Sequence, residues 1–495
     1  MLQEYLNSSR SKSRSRKSLL NPARWLCGSG SNQDSESSDA SLEKDVADVI
    51  RPFNFLDDDP EYRSSVAFMT FRFSAVLDVE KLRKALEEVF QLEGYHELGA
   101  RIRLNDRGKL EHHIPFRYDD ARPAFTWSHK LFPIKIEEHP EISKLPDGSK
   151  HTTPTMYTGV ESWKDCLYPS KALPSKLQDY LTADISPITV HIASFEDATL
   201  LTLAFPHVVM DAVAASYLLK TWAAVTAGHR EAIPPFMHDS NRDIVKEIID
   251  SMSLVRFLGT LVADWTQYPK QDWRFICLPS EYVSRLKADA MDDCGGQYLS
   301  EGDVLGAWRN RLIAKACNWP LDKPILMLQY YSLHGVLDEL PPGRAFIGNW
   351  VAKMFVMTTT REIIEGSIGE AALHIRNSLK QQRTREQAEA FLTMQSQRKI
   401  MMFGEHDQAF VGLSNIARAG LNKLDFSGAV VGEGSGLPVH LHSDFFVSSS
   451  LKLRNVGPIF GQDASGNWWM SWVMRSEAWP RVEQQLARES GVRIV

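Results

Sequence analysis

The sequence has few cysteines, and they are widely separated. Its five cysteines are scattered along 495 residues, and no two form a C-x-x-C motif. An odd, dispersed set argues against a disulfide framework or a zinc ribbon and is typical of a reducing compartment. We therefore expect a cytoplasmic protein, with organellar targeting by the Arg- and Ser-rich N-terminus as the alternative.

Long apolar runs and an excess of basic charge are also missing. No apolar run approaches the ~18 residues that a membrane-spanning helix needs, so we expect a soluble protein without a membrane span. The formal net charge of −6 argues against nucleic acid as the main partner, because phosphate binding requires a basic surface. The 43% hydrophobic and 24% charged content is ordinary for a soluble globular chain.

Two common catalytic signatures are absent as well. No G-x-S-x-G nucleophile elbow occurs, which argues against a serine triad. The Gly-rich stretch "VVGEGSG" lacks the G-x-G-x-x-G spacing of a dinucleotide site. Since no cysteine lies in a recognisable reactive context either, the sequence indicates chemistry without a covalent protein nucleophile.

The N-terminal part of the chain differs in composition from the rest. Residues 1–45 are rich in Ser, first basic and then acidic, and contain few residues that could build a core. This composition predicts a disordered tail. We then predict one folded part at residues 46–228, a crossover linker at 229–272 and a second folded part at 273–495.

Both folded parts mix strands and helices. In the first, "SSVAFMTFRFSAVL" and "ATLLTLAF" are predicted strands, and "DVEKLRKALEEVFQLEGY" is a predicted helix with Asp78 at its N-cap. In the second, "RFICLP", "PILMLQYYSL" and "NWWMSWVMR" are predicted strands that alternate with helices such as "GSIGEAALHIRNSLKQQ". We predict long loops at residues 120–190. The pattern indicates α+β organisation, in which sheet and helix are mixed without a strict βαβ repeat.

One histidine lies where a predicted strand meets a predicted helix. In "LLTLAFPHVVMDAVAASYLLKTW", His207 follows Pro206, and Asp211 comes four residues later in the first helical turn. A lone histidine in an apolar setting is more often structural, but such a junction can project a side chain from a rigid scaffold into a cleft. With an ordinary pKa of ~6.5, His207 can be neutral at pH 7 and accept a proton. Asp211 is expected to be ionised and structural, because the helix dipole favours a negative charge there.

A second histidine pattern supports a different hypothesis. His440, His442 and Asp444 alternate along "HLHSD", which places them on one face of an extended strand. Such side chains can bind zinc, so a metal-dependent hydrolase is a rival, although no further histidine lies close in sequence. Histidines of a partly exposed sheet give the same pattern. The acidic "LDDDPE" is predicted to be a solvated loop.

The motifs together resemble the BAHD acyltransferase family, in particular its fungal branch acting on secondary metabolites. The family's H-x-x-x-D signature matches His207 to Asp211, at the end of a strand and the start of a helix. Further similar segments follow in the family's order, namely "SEGDVLGAWRNRLIA", "RAFIGNWVAKM", "LHIRNSL" and "LDFSGAVVGEGSG". The last resembles the family's D-F-G-W-G segment, and the similarity covers nearly everything after residue 50.

Some positions depart from the family pattern. Ala212 replaces the glycine often found after the signature Asp, and the usual Asp-x-Arg before the Gly-Asn segment is absent. Residues 427–429 read Ser-Gly-Ala where the family has G-W-G. The family tryptophan thought to assist the transition state therefore has no counterpart, which leaves oxyanion stabilisation unassigned.

The resemblance implies an overall fold and an activity. The fold would be two chloramphenicol-acetyltransferase-like α/β domains, each a mixed β-sheet with flanking helices, with a channel between them. Acyl-CoA, in particular acetyl-CoA, would enter from one face as co-substrate and a small-molecule acceptor from the other, with no permanently bound cofactor. We expect a monomeric acyl-CoA-dependent O-acyltransferase that acts on a hydroxyl of a secondary metabolite, with His207 as general base and no covalent acyl-enzyme.

The resemblance also suggests roles for residues around the site. Asp211 would pair with a basic residue and hold the His207 loop, and Asp425 would do similar work near the channel with Phe426 packed beneath it. Three further residues are candidates for lining the substrate and coenzyme A channel, namely Asn349, Ser427 and Gly428.

Three alternatives to O-acylation stay open at this point. The same superfamily includes N-acyltransferases and condensation-type enzymes that share H-x-x-x-D, although the missing carrier-protein domains argue against a condensation module. The metal-dependent hydrolase is the second. The third is a catalytically inactive binding protein that keeps the channel.

Overall fold

The computed structural model describes residues 48–149, 151–159, 163, 167–168, 174–236, 264–396, 407–447, 453–491 and 493–495. For residues 444–447 and 490 only the backbone is described. The predicted tail at 1–45 and most of the predicted linker at 229–272 therefore lie outside the described residues.

The described strands form three sheets. They are β1 (Val49–Pro52), β2 (Ser65–Phe73), β3 (Arg101–Leu104), β4 (Leu110–Ile114), β5 (Thr126–Leu131), β6 (Thr155–Tyr157), β7 (Thr189–Ser194), β8 (Thr199–Pro206), β9 (Gln271–Leu278), β10 (Pro324–Ser332), β11 (Val351–Thr359), β12 (Ala409–Asn415), β13 (His440–Val447), β14 (Val456–Gln462), β15 (Trp468–Arg475) and β16 (Arg493–Ile494).

The described α-helices lie between these strands along the chain. They are α1 (Pro60–Arg63), α2 (Val79–Val89), α3 (Leu177–Thr182), α4 (Ala212–Ala227), α5 (Ser280–Asp293), α6 (Glu301–Cys317), α7 (Thr360–Glu365), α8 (Ile368–Gln382), α9 (Arg385–Ser396) and α10 (Trp479–Ser490). Among the described residues, no helix combines the length and the apolar character needed to cross a membrane.

The first large sheet has the order β13-β2-β8-β7-β5. Its pairs are antiparallel except for the parallel pair β5 and β7. Every residue of β2 and β8 is buried, as their β-branched and aromatic composition predicts for strands covered on both faces. Helices α2 and α4 pack against each other and join the same core, to which α4 contributes Leu218 and Trp222.

Capping residues in the sequence fix the ends of the two helices that matter most here. Helix α4 begins after Asp211, whose carboxylate accepts hydrogen bonds from the backbone of the first turn, and ends at Gly228 in the left-handed region. Helix α6 begins with a reciprocal capping box between Ser300 and Asp303 and ends at Asn318, also left-handed.

The second large sheet has the order β11-β10-β12-β14-β15-β9-β6-β16 and mixes parallel and antiparallel pairs. Its core includes Trp472 from the sheet, Trp308 from α6 and Trp479 from α10. A small antiparallel sheet, β1-β4-β3, completes the described strands. The predicted α/β class with mixed sheets and flanking helices is confirmed.

Each large sheet takes a strand from the other half of the sequence. Strand β13 pairs with β2 from His440 opposite Arg72 to Val447 opposite Ser65. In the opposite direction, β6 pairs with β9 through Thr155 and Cys277. The described residues belong to one unit, Ala47–Val495, so the division of the folded chain at 229–272 stays a prediction.

The expectation of long loops at residues 120–190 is wrong in part, because β5 and β6 lie there and β7 begins there. Strand β5 forms the edge of the first sheet, and its sequence "TWSHKL" is mostly exposed or half-buried. A polar edge strand shows little of the alternation between apolar and polar residues by which strands are recognised in a sequence.

A substitution in β2 tests the importance of this core for stability. Phe71 is fully buried, so Phe71→Ala is expected to lower the free energy of unfolding by about 3–5 kcal/mol through lost burial and the cavity left behind. The control is Phe116→Ala, where the ring is 75% exposed and the expected change is within about 0.5 kcal/mol. Denaturant titration followed by fluorescence measures both, and equal effects would contradict this account of the core.

Candidate active site

His207 lies at the junction that the sequence predicts. Strand β8 ends at Pro206, and the backbone N–H of His207 donates to the carbonyl of Ser65 at 2.9 Å, which continues the ladder with β2 by one residue. The next three residues, 208–210, are fully buried, whereas His207 keeps part of its surface accessible. Its side chain is therefore held by a rigid strand end and can still be reached.

The ring of Tyr62 stacks on the imidazole of His207. The two ring centroids lie 4.6 Å apart with 16° between their planes. Tyr62 is buried and belongs to the short helix α1, which directly precedes β2. This contact limits rotation of the imidazole about its side-chain bonds.

The Gly-Asn segment reaches the His207 loop from the other half of the chain. The Asn349 side-chain Nδ2 donates to the His207 carbonyl at 2.8 Å and to Asp57 Oδ1 at 2.9 Å. The backbone N–H of Asn349 donates to the same Asp57 oxygen at 2.6 Å. Asn349 is completely buried and positions the loop, and its predicted place in a substrate channel stays a prediction.

Gly348 is needed for this close approach. Its φ of +107° lies in the region that favours glycine. A Cβ added there would lie 3.0 Å from Asp57 Oδ2, tighter than ordinary contact. The glycine therefore lets the Gly-Asn segment lie directly against Asp57.

Asp211 joins the same two parts of the chain. One carboxylate oxygen accepts from the backbone N–H groups of Val213 and Ala214 at 2.8 Å each. The other accepts from the backbone N–H of Trp350 at 2.9 Å. We expected a basic partner, but in the described residues these three amides are the hydrogen-bond donors to Asp211 and no Lys or Arg pairs with it. Its role is to cap α4 and to hold the Gly-Asn segment against the His207 loop.

The surroundings of His207 favour the neutral imidazole. Burial lowers the pKa of His207 below its ordinary 6.5, because desolvation disfavours the charged ring. The histidine's own backbone, Asp211, Glu61 and Asn349 each raise this pKa, but burial prevails. The neutral imidazole is the form of His207 that could accept a proton.

A polar cluster lies on the other side of helix α1. The carboxylate of Glu61, the residue before Tyr62, accepts from Lys353 Nζ at 2.7 Å and from the hydroxyl of Tyr330. Lys353 also lies 5.7 Å from the centroid of the Tyr330 ring. Burial raises the pKa of Glu61, but Lys353 and the Tyr330 hydroxyl outweigh it and keep this pKa below its ordinary value, which favours the carboxylate form.

The structure does not bring the D-F-G-W-G-like segment to His207. Gly428 packs against Ala227 at the C-terminal end of α4, where an added Cβ would lie 2.6 Å from the Ala227 Cα. His207 precedes the N-terminal end of the same 16-residue helix, which at about 1.5 Å per residue is roughly 24 Å away.

The other residues of that segment have local roles. Phe426 is fully buried, edge-on to the rings of Phe73 and Trp222. The exposed Asp425 accepts from the backbone N–H of the exposed Ser427 at 2.9 Å. Asp425 and Phe426 are thus structural but not placed beside His207, and a channel role for Ser427 and Gly428 stays a prediction.

The strand histidines are surrounded by aromatic rings. His440 and His442 are buried on β13; His442 stacks on Phe275 with 4.8 Å between centroids, and His440 lies 4.7 Å from Trp469 edge-on. The side chain of Asp444 is outside the described residues. Within the part of the chain that the structure describes, no group of three His, Cys, Asp or Glu side chains could hold a metal ion.

The residues that the sequence analysis missed lie in one segment. Asp57, Glu61 and Tyr62 belong to the stretch "LDDDPEY", whose acidic part we predicted to be a solvated loop. That prediction is wrong, because Asp57 and Asp58 are each only 5% exposed. The signs of a helix start that the sequence offered were Asp59, a common N-cap residue, and the proline after it. In the structure the Glu61 backbone N–H donates to Asp59 Oδ1.

Substitution of Asp211 by asparagine isolates the bond to Trp350. Asparagine caps helices about as well as aspartate. If the side-chain oxygen of the Asp211→Asn variant keeps the cap of α4, its NH₂ group faces the backbone N–H of Trp350, and two donors then oppose each other. We expect the free energy of unfolding to fall by roughly 1–3 kcal/mol. Asp78→Asn is the matched control, since Asp78 caps α2 without such a cross-chain bond, and it should be nearly neutral. Equal stabilities of the two variants in denaturant titration would contradict the role given to Asp211.

Comparison with known proteins now places the chain in a family. A family model described as "Transferase family" matches residues 147–446. The chain is 31% identical to "Transcriptional regulator calD" of Penicillium decumbens (90% of this chain, 97% of the relative). It is 30% identical to "Acetyltransferase sphE" of Aspergillus fumigatus (89% and 95%).

A solved structure shares the fold. The crystal structure of F. sporotrichioides TRI101 with coenzyme A and T-2 aligns with a TM-score of 0.61 at 14% identity, covering 89% of this chain and 99% of that one. This likeness confirms the predicted fold of two chloramphenicol-acetyltransferase-like α/β domains, although the channel between them stays a prediction. The chain belongs to the Transferase family of BAHD-type acyltransferases.

Proposed function

We propose that this acyltransferase moves an acyl group, acetyl in the first instance, from coenzyme A to a hydroxyl of a fungal secondary metabolite, with His207 as the general base. The observation that carries the proposal is the neutral, accessible imidazole of His207, fixed by Tyr62 on its face and by Asn349 at its carbonyl. The acetyltransferase name of the Aspergillus fumigatus relative and the coenzyme A in the TRI101 structure support it.

The reaction needs one proton acceptor and two positioned substrates. The neutral imidazole takes the proton of the acceptor hydroxyl while the hydroxyl oxygen attacks the thioester carbonyl. The resulting tetrahedral oxyanion collapses, the carbon–sulfur bond breaks, and the thiolate of coenzyme A takes the proton from the imidazolium. A positioned general base contributes roughly 10²–10⁴-fold, and holding both substrates in place supplies much of the rest.

The described cysteines support a route without an acyl-enzyme. Cys277, Cys294 and Cys317 are buried. Burial raises the pKa of Cys277 far above its ordinary value and that of Cys317 to about 11, so both are thiols at neutral pH. Because the thiolate is the nucleophilic form, neither thiol is prepared to carry an acyl group.

Removal of the imidazole tests the proposal directly. The His207→Ala variant is expected to release thiol from acetyl-CoA about 10²–10⁴-fold more slowly than wild type in the presence of acceptor. Acceptors are a panel of polyoxygenated terpenoid and polyketide alcohols, among them androstanediol and deoxynivalenol, and an extract of a fungus lacking the protein. Mass spectrometry identifies the product by the gain of one acyl unit on oxygen.

His229→Ala is the control, because His229 is exposed. Full activity of His207→Ala would refute the general-base role. A wild type that binds acetyl-CoA but acylates nothing in the panel or extract would favour a non-catalytic role, as the regulator name of the Penicillium relative suggests. Acyl gain on nitrogen would favour N-acylation, and inhibition by a chelator would favour the metal hydrolase.

The pH profile should report the lowered pKa of His207. Since the neutral form is the base, kcat/KM is constant at neutral pH and falls as the pH drops through the pKa of His207 in the free enzyme. Burial holds that pKa below 6.5, despite the opposing effects of Asp211 and Glu61, so the half-maximal point should lie below pH 6.5. A half-maximal point above 6.5, or a rate that rises with acidity, would contradict the neutral base. The measurement is steady-state kinetics in constant-ionic-strength buffers.

A further inference from the structure

The cluster of Glu61, Tyr330 and Lys353 is not used by the proposed chemistry, yet it adjoins the site. Glu61 precedes Tyr62, whose ring covers the His207 imidazole. The two ring centroids lie 4.6 Å apart, and Glu61 and Tyr62 are neighbours in the four-residue helix α1. The cluster therefore adjoins the place where a substrate of His207 would bind.

The charged groups of the cluster can be reached by a bound molecule. The Glu61 side chain is 43% exposed and the Lys353 side chain is 19% exposed. A ligand can therefore contact both groups without displacing either one.

The charges of the cluster indicate the kind of group that it would bind. The carboxylate of Glu61 and the ammonium of Lys353 sum to zero, so neither a free anion nor a free cation is favoured. The carboxylate can accept further hydrogen bonds, and the ammonium has three N–H donors, of which one is directed at Glu61. A neutral hydroxyl, which both donates and accepts, matches this pair.

The surrounding segment favours the acceptor over coenzyme A as the ligand. The residues just before the cluster, Asp57, Asp58 and Asp59, are all carboxylates, and Asp58 is paired with Arg63 and Lys109. The four carboxylates at positions 57, 58, 59 and 61 outnumber the three cations that pair with them, Arg63, Lys109 and Lys353. The segment therefore has no excess positive charge to attract the phosphates of coenzyme A, which an uncharged acceptor does not need.

We propose that Glu61, Tyr330 and Lys353 form a subsite that binds a second hydroxyl of the acceptor, remote from the hydroxyl that His207 deprotonates. This inference rests on the proposed O-acyltransferase function. It makes Glu61 a specificity determinant, which selects acceptors with at least two oxygen functions at a fixed separation.

The test compares a diol with its singly hydroxylated analogue. The wild type and Glu61→Gln are each assayed with androstanediol and with androstanol. If an acceptor from the extract is turned over faster, that acceptor and its remote O-methyl ether replace this pair. In the wild type, loss of the remote hydroxyl should lower kcat/KM roughly ten-fold, the loss expected for one hydrogen bond to a charged group. In Glu61→Gln, kcat/KM for the diol should fall by a similar factor, and kcat/KM for the mono-ol should barely change. The KM for acetyl-CoA should stay within about two-fold of the wild-type value.

Glu301→Gln is the matched control. Glu301 pairs with Lys287 at 2.9 Å, and their side chains are 38% and 22% exposed, close to the values for Glu61 and Lys353. It should leave the discrimination between diol and mono-ol unchanged. Lys353→Met provides a second variant in the cluster, and unfolding temperatures of all variants show that they are folded.

The outcomes separate this inference from the proposed function. Equal losses for diol and mono-ol in Glu61→Gln would mean that Glu61 only holds the fold and would overturn the subsite. A raised KM for acetyl-CoA alone would overturn it in favour of a coenzyme A contact. Failure of the wild type to acetylate any acceptor would remove the proposed function, and the inference with it.

Discussion

The geometry around His207 depends on one hydrogen-bonded connection between distant parts of the chain. Asp57 holds the backbone and the side chain of Asn349, and Asn349 holds the carbonyl of His207. Asp211 adds a second connection to the same segment through the N–H of Trp350. Segments near residues 57, 207 and 349 therefore form one buried network, and the imidazole has a defined position because each end of its loop is tied to the opposite half of the molecule. A network of this kind is costly to break, since a buried group that loses its partner keeps the whole desolvation penalty.

The electrostatics of the site are a balance between burial and nearby carboxylates. Desolvation lowers the pKa of His207, whereas Asp211 and Glu61 raise it. If both carboxylates acted without compensation, the imidazole would be protonated more readily and would lose its use as a base. Both carboxylates have partners of their own. The Asp211 carboxylate accepts hydrogen bonds from three backbone amides, and the Glu61 carboxylate forms an ion pair with Lys353. Burial outweighs both carboxylates, so the neutral imidazole is the favoured form.

Local signals in the sequence predict much of the fold and the key histidine, but not the residues that surround it. The apolar run before Pro206 and the cap at Asp211 are enough to predict a strand, a turn and a helix, and the structure has all three. The partners of His207 could not be predicted, because Tyr62 and Asp57 lie in a short acidic stretch without periodicity, and Asn349 meets Asp57 across 292 residues of chain. The D-F-G-W-G-like segment was found by its similarity to the family, but the sequence does not tell where it lies in the fold. The structure shows that Phe426 packs against Trp222 of helix α4, away from His207.

The exchange of strands between the two large sheets restricts how the halves of this molecule can move or be recombined. Strand β13 is hydrogen-bonded to β2, whereas β12 and β14, its neighbours in sequence, belong to the second sheet. A hinge motion that separates the two halves would therefore break the pairing of eight residue pairs. For protein engineering, a chimera that joins the first half of one relative to the second half of another would place a foreign edge strand on the sheet that carries His207. A crossover that transfers β13 together with the first half would keep that sheet intact.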